Sequence, residues 1–153
     1  MILVDADACP VKAEIEAVAT RSGTHVKMVS NGGIRPSQNP LVENVYVDQS
    51  ADAADIWIAE NAGPGDVVVT NDMPLAARAV EAGAEVIKPN GDILTATNVG
   101  QALAMRDLMA DLRAADPFRQ GGGRPFSKSD RARFRDGLDR VLRRAAQSAS
   151  RSD

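Results

Sequence analysis

The sequence predicts an α/β protein with a mostly parallel central sheet of about five strands, flanked by helices and followed by a basic C-terminal helix. Short apolar runs alternate with helical patterns along the chain, and Gly and Pro residues mark the boundaries between them. Alternating strands and helices are typical of a parallel sheet. The β-branched run Val67–Val69 has no polar alternation, which is typical of a central strand covered on both faces.

The first half of the chain shows this alternation with clear boundary residues. Pro10 suits the first turn of a helix, and Gly23 suits the position after its end. Ser50 and Asp52 are both suitable N-caps for a second helix. The predicted elements are a strand at residues 2–4, a helix at 10–22, strands at 26–29 and 45–47, and a helix at 53–62.

The second half continues the same order and ends in the basic helix. Pro74 opens a helix and Gly83 ends it, while Ser127 and Asp130 form a capping-box pattern for the last helix. The predicted elements are a strand at residues 67–70, a helix at 74–82, a strand at 85–87, a helix at 98–115, a loop at 117–126 and a final helix from 127.

The 153 residues predict one domain with an uneven charge distribution. We expect an α/β body at residues 1–116, a Gly/Pro loop and helix at 117–146 packed on the same domain, and a disordered tail at 147–153. Residues 1–116 hold 8 Lys and Arg against 17 Asp and Glu, a net charge of −9, whereas residues 117–153 hold 10 against 4, a net charge of +6. The acidic body favours cations and the basic segment favours polyanions.

Composition excludes several functional classes. The chain has no run of about 18 apolar residues, so neither a transmembrane helix nor a membrane partner is expected. The chain has a single cysteine, Cys9, and a single histidine, His25. These numbers exclude an internal disulfide, a thiolate-rich zinc site and a His-rich metal site. The single thiol favours a reducing, cytoplasmic setting. Aromatic residues make up 3% of the chain, which argues against a platform of stacked rings for nucleic acid.

Four aspartates are predicted to meet at one edge of the sheet. Asp5 ends the first strand, Asp72 follows the central one, and Asp52 and Asp55 stand three residues apart at a helix start. Open parallel sheets bind ligands at the carboxyl ends of their strands, near the point where the strand order reverses. Carboxylates within about 4–6 Å raise one another's pKa, so a cation between them is expected. Oxygen ligands without His or Cys select a hard cation, Mg²⁺ or Mn²⁺.

The same acids also have a purely structural interpretation. Asp5 or Asp7 suits the N-terminus of the first helix, Asp52 and Asp55 that of the second, and Asp72 that of the third. Taken singly, each acid is more readily a cap than a ligand. Taken together, acids at three helix starts on one sheet edge favour a metal site, and a cap can also be a ligand.

A metal held by carboxylates at a strand edge is typical of phosphate chemistry. The ion neutralises phosphate oxygens and lowers the pKa of a bound water, and two ions roughly 4 Å apart divide these tasks. A general-base histidine is then unnecessary. We therefore predict a divalent-metal-dependent phosphodiesterase in which Asp5, Asp52, Asp55 and Asp72 are the catalytic and metal-binding residues.

Four segments of the chain resemble a single bacterial protein family, the YaiI/YqxD family, whose members have no established function. Together the segments span nearly the whole chain, and their ordered combination is specific. They are Val4-Asp5-Ala6-Asp7-Ala8-Cys9-Pro10, Asp52-Ala53-Ala54-Asp55, the stretch from Gly65 through Thr70-Asn71-Asp72-Met73-Pro74 to Ala76, and the stretch from Gly122 through Arg124-Pro125-Phe126-Ser127 to Arg131.

The YaiI/YqxD family is in turn similar to PIN-like domains, small α/β nucleases that bind Mg²⁺ or Mn²⁺ and usually cleave RNA. The resemblance implies a PIN-like fold with Asp5 as the strand-end acid, Asp52 or Asp55 as the intermediate acid, and Asp72 as the acid of the Thr-Asn-Asp segment. PIN nucleases often use a fourth acid, for which Asp92 is the candidate. The Asp-Ala-Asp-Ala-Cys-Pro opening is the family's own, so the resemblance supports the fold better than the reaction.

Other residues are candidates for binding a nucleic-acid substrate. Asn31 and Arg35 lie on the glycine loop after the second strand, where amides and a guanidinium can hold phosphate, or they are ordinary turn residues. Basic residues of the C-terminal segment can guide a phosphate backbone toward the acids or form a solvated helix face. They are Arg124, Lys128, Arg131 and Arg135.

Two alternatives to the nuclease stay open. Asp5-x-Asp7 after an apolar strand resembles the haloacid-dehalogenase-type phosphatases, with Asp5 as nucleophile and Asp7 as acid-base partner, although Cys9 stands where Thr or Val is expected. The other alternative is a non-catalytic, PIN-like RNA-binding or scaffold protein whose acids cap helices and bind either a structural Mg²⁺ or no ion.

Overall fold

The computed structural model describes residues 1–33, 35–50, 52–115 and 126–151, and it confirms the α/β class. The described strands form one sheet in the order β3-β2-β1-β4-β5-β6, parallel throughout except for β6. The strands are β1 (Ile2–Asp5), β2 (Val26–Ser30), β3 (Val42–Tyr46), β4 (Val67–Val69), β5 (Glu85–Ile87) and β6 (Ile93–Leu94). The helices are α1 (Lys12–Ser22), α2 (Ala53–Asn61), α3 (Met73–Glu81), α4 (Val99–Ala115) and α5 (Lys128–Arg151).

Helices cover both faces of the sheet, as the apolar strand β4 predicts. Val67 and Val69 face a core shared with α1 and α5, whereas Val68 faces a core shared with α2 and α3. All three valines are 0% exposed. Because successive side chains of a strand point to opposite faces, a strand that is buried on both sides must be apolar at every position.

The strand order reverses between β1 and β4. From β1 the chain continues outward through β2 to β3, and from β4 it continues outward on the other side through β5 to β6. The loops that follow β1 and β4 therefore leave the sheet in opposite directions, and a crevice lies between them. Asp5 at the end of β1 and Thr70 after β4 border this crevice.

Several element boundaries differ from those predicted. Helix α1 begins at Lys12 rather than Pro10, because residues 6–8 form a separate 3-10 turn. Strand β3 begins at Val42, before the predicted residue 45. Strand β6 was not predicted, since its two residues are too few to show a periodic pattern.

The C-terminal basic helix packs on the sheet face that α1 also covers. Phe134, Leu138 and Val141 are 0% exposed and belong to that core. The predicted capping box is confirmed, since the Ser127 N–H donates to Asp130 and the Asp130 N–H donates to Ser127 Oγ. Helix α5 continues to Arg151, into the segment predicted as a disordered tail, because no Gly or Pro interrupts residues 138–151. The predicted loop at residues 117–126 lies outside the described residues except for Phe126.

No helix in the described part of the chain is long and apolar enough to span a membrane.

Candidate functional site

The site begins with Thr70, which joins the ends of the two central strands. The Thr70 hydroxyl donates to Oδ2 of Asp5 at 3.1 Å and accepts from the backbone N–H of Asp72 at 2.9 Å. Thr70 is 1% exposed, so this hydroxyl works in a protein environment rather than in bulk water. One side chain thus fixes the positions of two predicted site acids across the crevice.

Helix α3 places Asp72 and helix α2 places the other two acids. Asp72 is the N-cap of α3, and its Oδ1 accepts from the backbone N–H of Leu75 at 2.9 Å. Asp52 stands at the N-cap position of α2 without a side-chain capping bond, and Asp55 lies in the first turn. Because α2 packs against both α3 and β1, the start of α2 faces the crevice.

The pKa values report that these carboxyl groups are close to one another. The pKa of Asp55 is raised from 3.8 to about 7 by burial, by a hydrogen bond with Asp72, and by the charges of Asp72, Asp5 and Asp52. The pKa of Asp5 is raised mainly by burial, and further by the charges of Asp72 and Asp7, while the Thr70 hydrogen bond lowers it. Asp52, Asp55 and Asp72 line one cleft, and Thr70 links the Asp5 carboxylate to the backbone of Asp72.

Capping explains only one of these acids. Asp72 makes a capping bond, whereas the Asp5 and Asp52 side chains make none. The raised pKa of Asp55 beside Asp72 favours a bound proton or a cation at this pair. The structural interpretation thus accounts for Asp72 and leaves the convergence of the others unexplained.

The donor set suits a hard cation, but the carboxylates do not form a preassembled metal centre. All candidate ligands are carboxylate oxygens, which Mg²⁺ and Mn²⁺ prefer. Within the described ranges, no group of three or more His, Cys, Asp or Glu side chains is placed so that it could hold a metal ion. Asp55 and Asp72 line the same cleft, and the charge of Asp72 contributes to the raised pKa of Asp55.

A cleft of about 390 Å³ opens beside the acids, between α2 and α3. It contains one residue that the sequence analysis missed, Arg78 on α3. Asp72, Leu75 and Arg78 follow one another at intervals of three residues, so they are neighbours on the surface of α3. This spacing identifies Arg78 as a cleft residue only when the side on which α2 packs is known. The lining residues are Asp52, Asp55, Ile56, Asp72, Pro74, Leu75 and Arg78.

Asp7 and Asn31 connect neighbouring loops. The backbone N–H of Asn31 donates to Oδ2 of Asp7 at 3.1 Å, and Nδ2 of Asn31 donates to the carbonyl oxygens of Asp48 and Ser50. Asn31 therefore holds the loops after β1, β2 and β3 together. Arg35 lies further along the β2 loop and is exposed.

Asp92 lies in the turn between β5 and β6 and has its own partners. Its Oδ1 accepts from Arg133 of α5 at 2.6 Å, and its Oδ2 accepts from Asn90 at 3.1 Å. It lines a separate cleft of about 910 Å³ between this turn, α4 and α5. The candidate fourth acid is thus engaged with α5 through Arg133.

The predicted basic guide residues on the C-terminal segment differ in their surroundings. Arg131 donates to the carbonyl oxygen of Pro10 at 3.0 Å and to Glu14 at 3.1 Å, so it fastens α5 to the loop before α1. Lys128 and Arg135 are exposed on α5. Arg124 lies outside the described residues.

Cys9 fits a packing role better than a reactive one. Its side chain is partly buried against the core shared by α1 and α5, and burial raises the pKa of the thiol. A raised thiol pKa disfavours the nucleophilic thiolate.

The chain matches the family described as "Uncharacterized BCR, YaiI/YqxD family" over residues 3–144. It is 66% identical to a UPF0178 protein of Cereibacter sphaeroides over 148 residues, which covers 97% of this chain and 92% of the relative. A UPF0178 protein of Roseobacter denitrificans is 65% identical over 95% of this chain and 96% of its own. A UPF0178 protein of Mesorhizobium japonicum is 56% identical over 97% of this chain and 96% of its own. No solved structure gives a significant match.

Proposed function

The chain belongs to the YaiI/YqxD family, and because the names of its relatives state no reaction, we propose its function from the site: a divalent-metal-dependent phosphodiesterase that cleaves RNA. The observation that carries the proposal is the convergence of Asp5, Asp55 and Asp72 where the strand order reverses. Carboxylate charges that raise the pKa of Asp5 and Asp55 at this position suit a cation and an anionic substrate.

The chain's own residues supply position and charge. Asp5, Asp55 and Asp72 would hold Mg²⁺ or Mn²⁺, with Asp52 beside them at the start of α2. When bound, the ion neutralises phosphate oxygens and lowers the pKa of the attacking water. Thr70 orients Asp5, and the capping bond to Leu75 fixes Asp72, so two of the carboxylates are held before substrate arrives. Asp55, whose pKa is raised by burial and by the neighbouring carboxylates, would serve as a ligand in its ionised form.

The direct test is cleavage of a single-stranded RNA in Mn²⁺ by the wild type and by Asp72→Asn. Asparagine is also a good N-cap, so α3 should remain folded while the site loses a charged ligand. We expect the wild type to cleave and Asp72→Asn to lose more than about 100-fold of the rate. Glu81→Gln, which removes an exposed charge at the other end of α3, should cleave as the wild type does.

The two alternatives give different results in the same assay. A phosphatase of the haloacid-dehalogenase type would release phosphate from a small phosphoester through an aspartyl-phosphate at Asp5. An RNA-binding protein without catalysis would bind the RNA in a salt-dependent manner and never cleave it. Retained cleavage in Asp72→Asn would remove the proposed assignment of the site.

We place this activity in the cytoplasm. The partly buried Cys9 has no second cysteine to pair with and suits a reducing compartment.

A further inference from the structure

Arg78 is the one basic side chain among the described residues that line the α2–α3 cleft. It shares the cleft with three acids, Asp52, Asp55 and Asp72. A cation that stands beside several carboxylates normally pairs with one of them, since the pair stabilises both charges. If Arg78 forms no such pair, its positive charge is available to a ligand in the cleft.

The Arg78 side chain forms no hydrogen bond or ion pair within the described part of the chain, although it shares the cleft with acids. Arginines elsewhere in the fold do form them: Arg131 pairs with Glu14 and Arg133 pairs with Asp92. Arg78 thus lines the cleft as an exposed residue whose side chain is not engaged by a neighbouring acid.

Arg78 stands on α3, six residues after the N-cap Asp72. Asp72, Leu75 and Arg78 follow one another at a spacing of three, and all three line the cleft. Six residues of helix correspond to about 9 Å along the axis. Helical side chains lean toward the N-terminus of their helix, so Arg78 leans toward the Asp72 end. Both ends of this series, Asp72 and Arg78, line the same cleft of about 390 Å³.

We propose that Arg78 binds the non-bridging oxygens of the substrate phosphodiester from the side opposite the carboxylates. This inference rests on the proposed function and adds a direction to it: the nucleic-acid strand enters along the α2–α3 cleft. A guanidinium binds phosphate through two parallel hydrogen bonds, whereas carboxylates alone repel it. Ile56, which is 45% exposed and lines the same cleft, supplies an apolar wall for the neighbouring sugar or base.

The inference makes Arg78 a substrate-positioning residue, and kinetics in Mn²⁺ with a short single-stranded RNA tests it. Arg78→Gln should raise KM about tenfold, because it removes a charged hydrogen bond to substrate, with a smaller effect on kcat. The KM of Arg78→Lys should lie between those of the wild type and Arg78→Gln, since lysine keeps the positive charge but cannot form two parallel hydrogen bonds to phosphate. The slope of log KM against log salt concentration should become shallower by about 0.7 in Arg78→Gln, as expected for one lost phosphate contact.

The matched control is Arg143→Gln, which removes the same charge from an exposed arginine on α5 beside Met1, at the opposite edge of the sheet. It should leave both KM and the salt slope unchanged. If the wild type cleaves RNA but Arg78→Gln keeps its KM and salt slope, the role of Arg78 is wrong and the proposed function stands. If the wild type neither binds nor cleaves RNA in Mn²⁺, both fall.

Discussion

Thr70 shows how one buried hydroxyl can organise two acids. It donates to Asp5 and accepts from the Asp72 N–H, which a hydroxyl can do simultaneously. The first of these bonds joins residues 65 positions apart in the chain. The sequence places Thr70 at a strand end, but the bond depends on β1 and β4 being neighbours, which residue patterns do not specify.

Asp55 is expected to make stability depend on pH near neutrality. Its pKa is raised from 3.8 to about 7, chiefly by burial and by its hydrogen bond with Asp72. Between these two values the folded protein holds a proton that the unfolded chain has released. The stabilisation is complete below the unfolded value and is lost as pH rises through the folded one. Urea unfolding in EDTA should therefore give a higher unfolding free energy near about pH 5 than near about pH 8.

Two variants identify the source of this pH dependence. Asp55→Asn should reduce the dependence of the unfolding free energy on pH, because the carboxyl group that takes up the proton is gone. Asp136→Asn, which removes an exposed carboxylate of α5, should leave the slope as in the wild type. A wild type with no fall in stability between the two pH values would contradict the raised pKa of Asp55.

The contact between α5 and the β5–β6 turn requires a residue without a side chain. Gly91 has φ +94°, and a Cβ added there would lie 2.8 Å from Cγ and 3.1 Å from the carbonyl oxygen of Arg133. Gly91→Ala should lower the unfolding free energy by about 2–4 kcal/mol, from backbone strain and from the displacement of α5. Urea unfolding measures this loss directly.

Gly32 provides a control that separates these two causes. Its φ is +110°, but a Cβ there would meet no atom within 4 Å. Gly32→Ala should therefore cost only the strain, about 1–2 kcal/mol. Equal losses in Gly32→Ala and Gly91→Ala would show that the approach of α5 to the turn contributes nothing.

The elements that the sequence predicts best are those with strong local signals. The valine strand β4, the Pro74 start of α3 and the Ser127 capping box all rest on residues close together in the chain. Strand β6 and the early start of β3 could not be predicted in the same way, because pairing with a neighbouring strand defines them. Local patterns specify the type of an element better than its ends.

The candidate site was predictable only in part, for the same reason. The convergence of Asp5, Asp55 and Asp72 follows from the rule that parallel strands end at one edge. The roles of Thr70 and Arg78 depend on which strands are neighbours and on which face of α3 meets α2. The partners of Asp92 and Arg131 likewise become visible only when α5 is placed on the body.

Ion pairs within the fold neutralise part of the charge difference between the acidic body and the basic C-terminal segment. Basic residues of α5 pair with acids of the body, Arg131 with Glu14 and Arg133 with Asp92, while Arg21 of α1 pairs with Asp139 of α5. The basic segment therefore balances the acidic body as well as offering charge to solvent. Exposed pairs of this kind are individually weak, so apolar packing of Phe134 and Leu138 is the main attachment of α5.

The central claim for the molecule as a whole is that its converging acids bind a divalent cation, and thermal unfolding with and without Mn²⁺ tests it most directly. A ligand that binds only the folded state at about 100 times its Kd should raise the Tm of the wild type by roughly 5–10 °C. Asp5→Asn/Asp72→Asn should lose this response and be no less stable than the wild type in EDTA, because its like charges are gone. A wild type whose Tm is the same in EDTA, Mg²⁺ and Mn²⁺ would contradict the account.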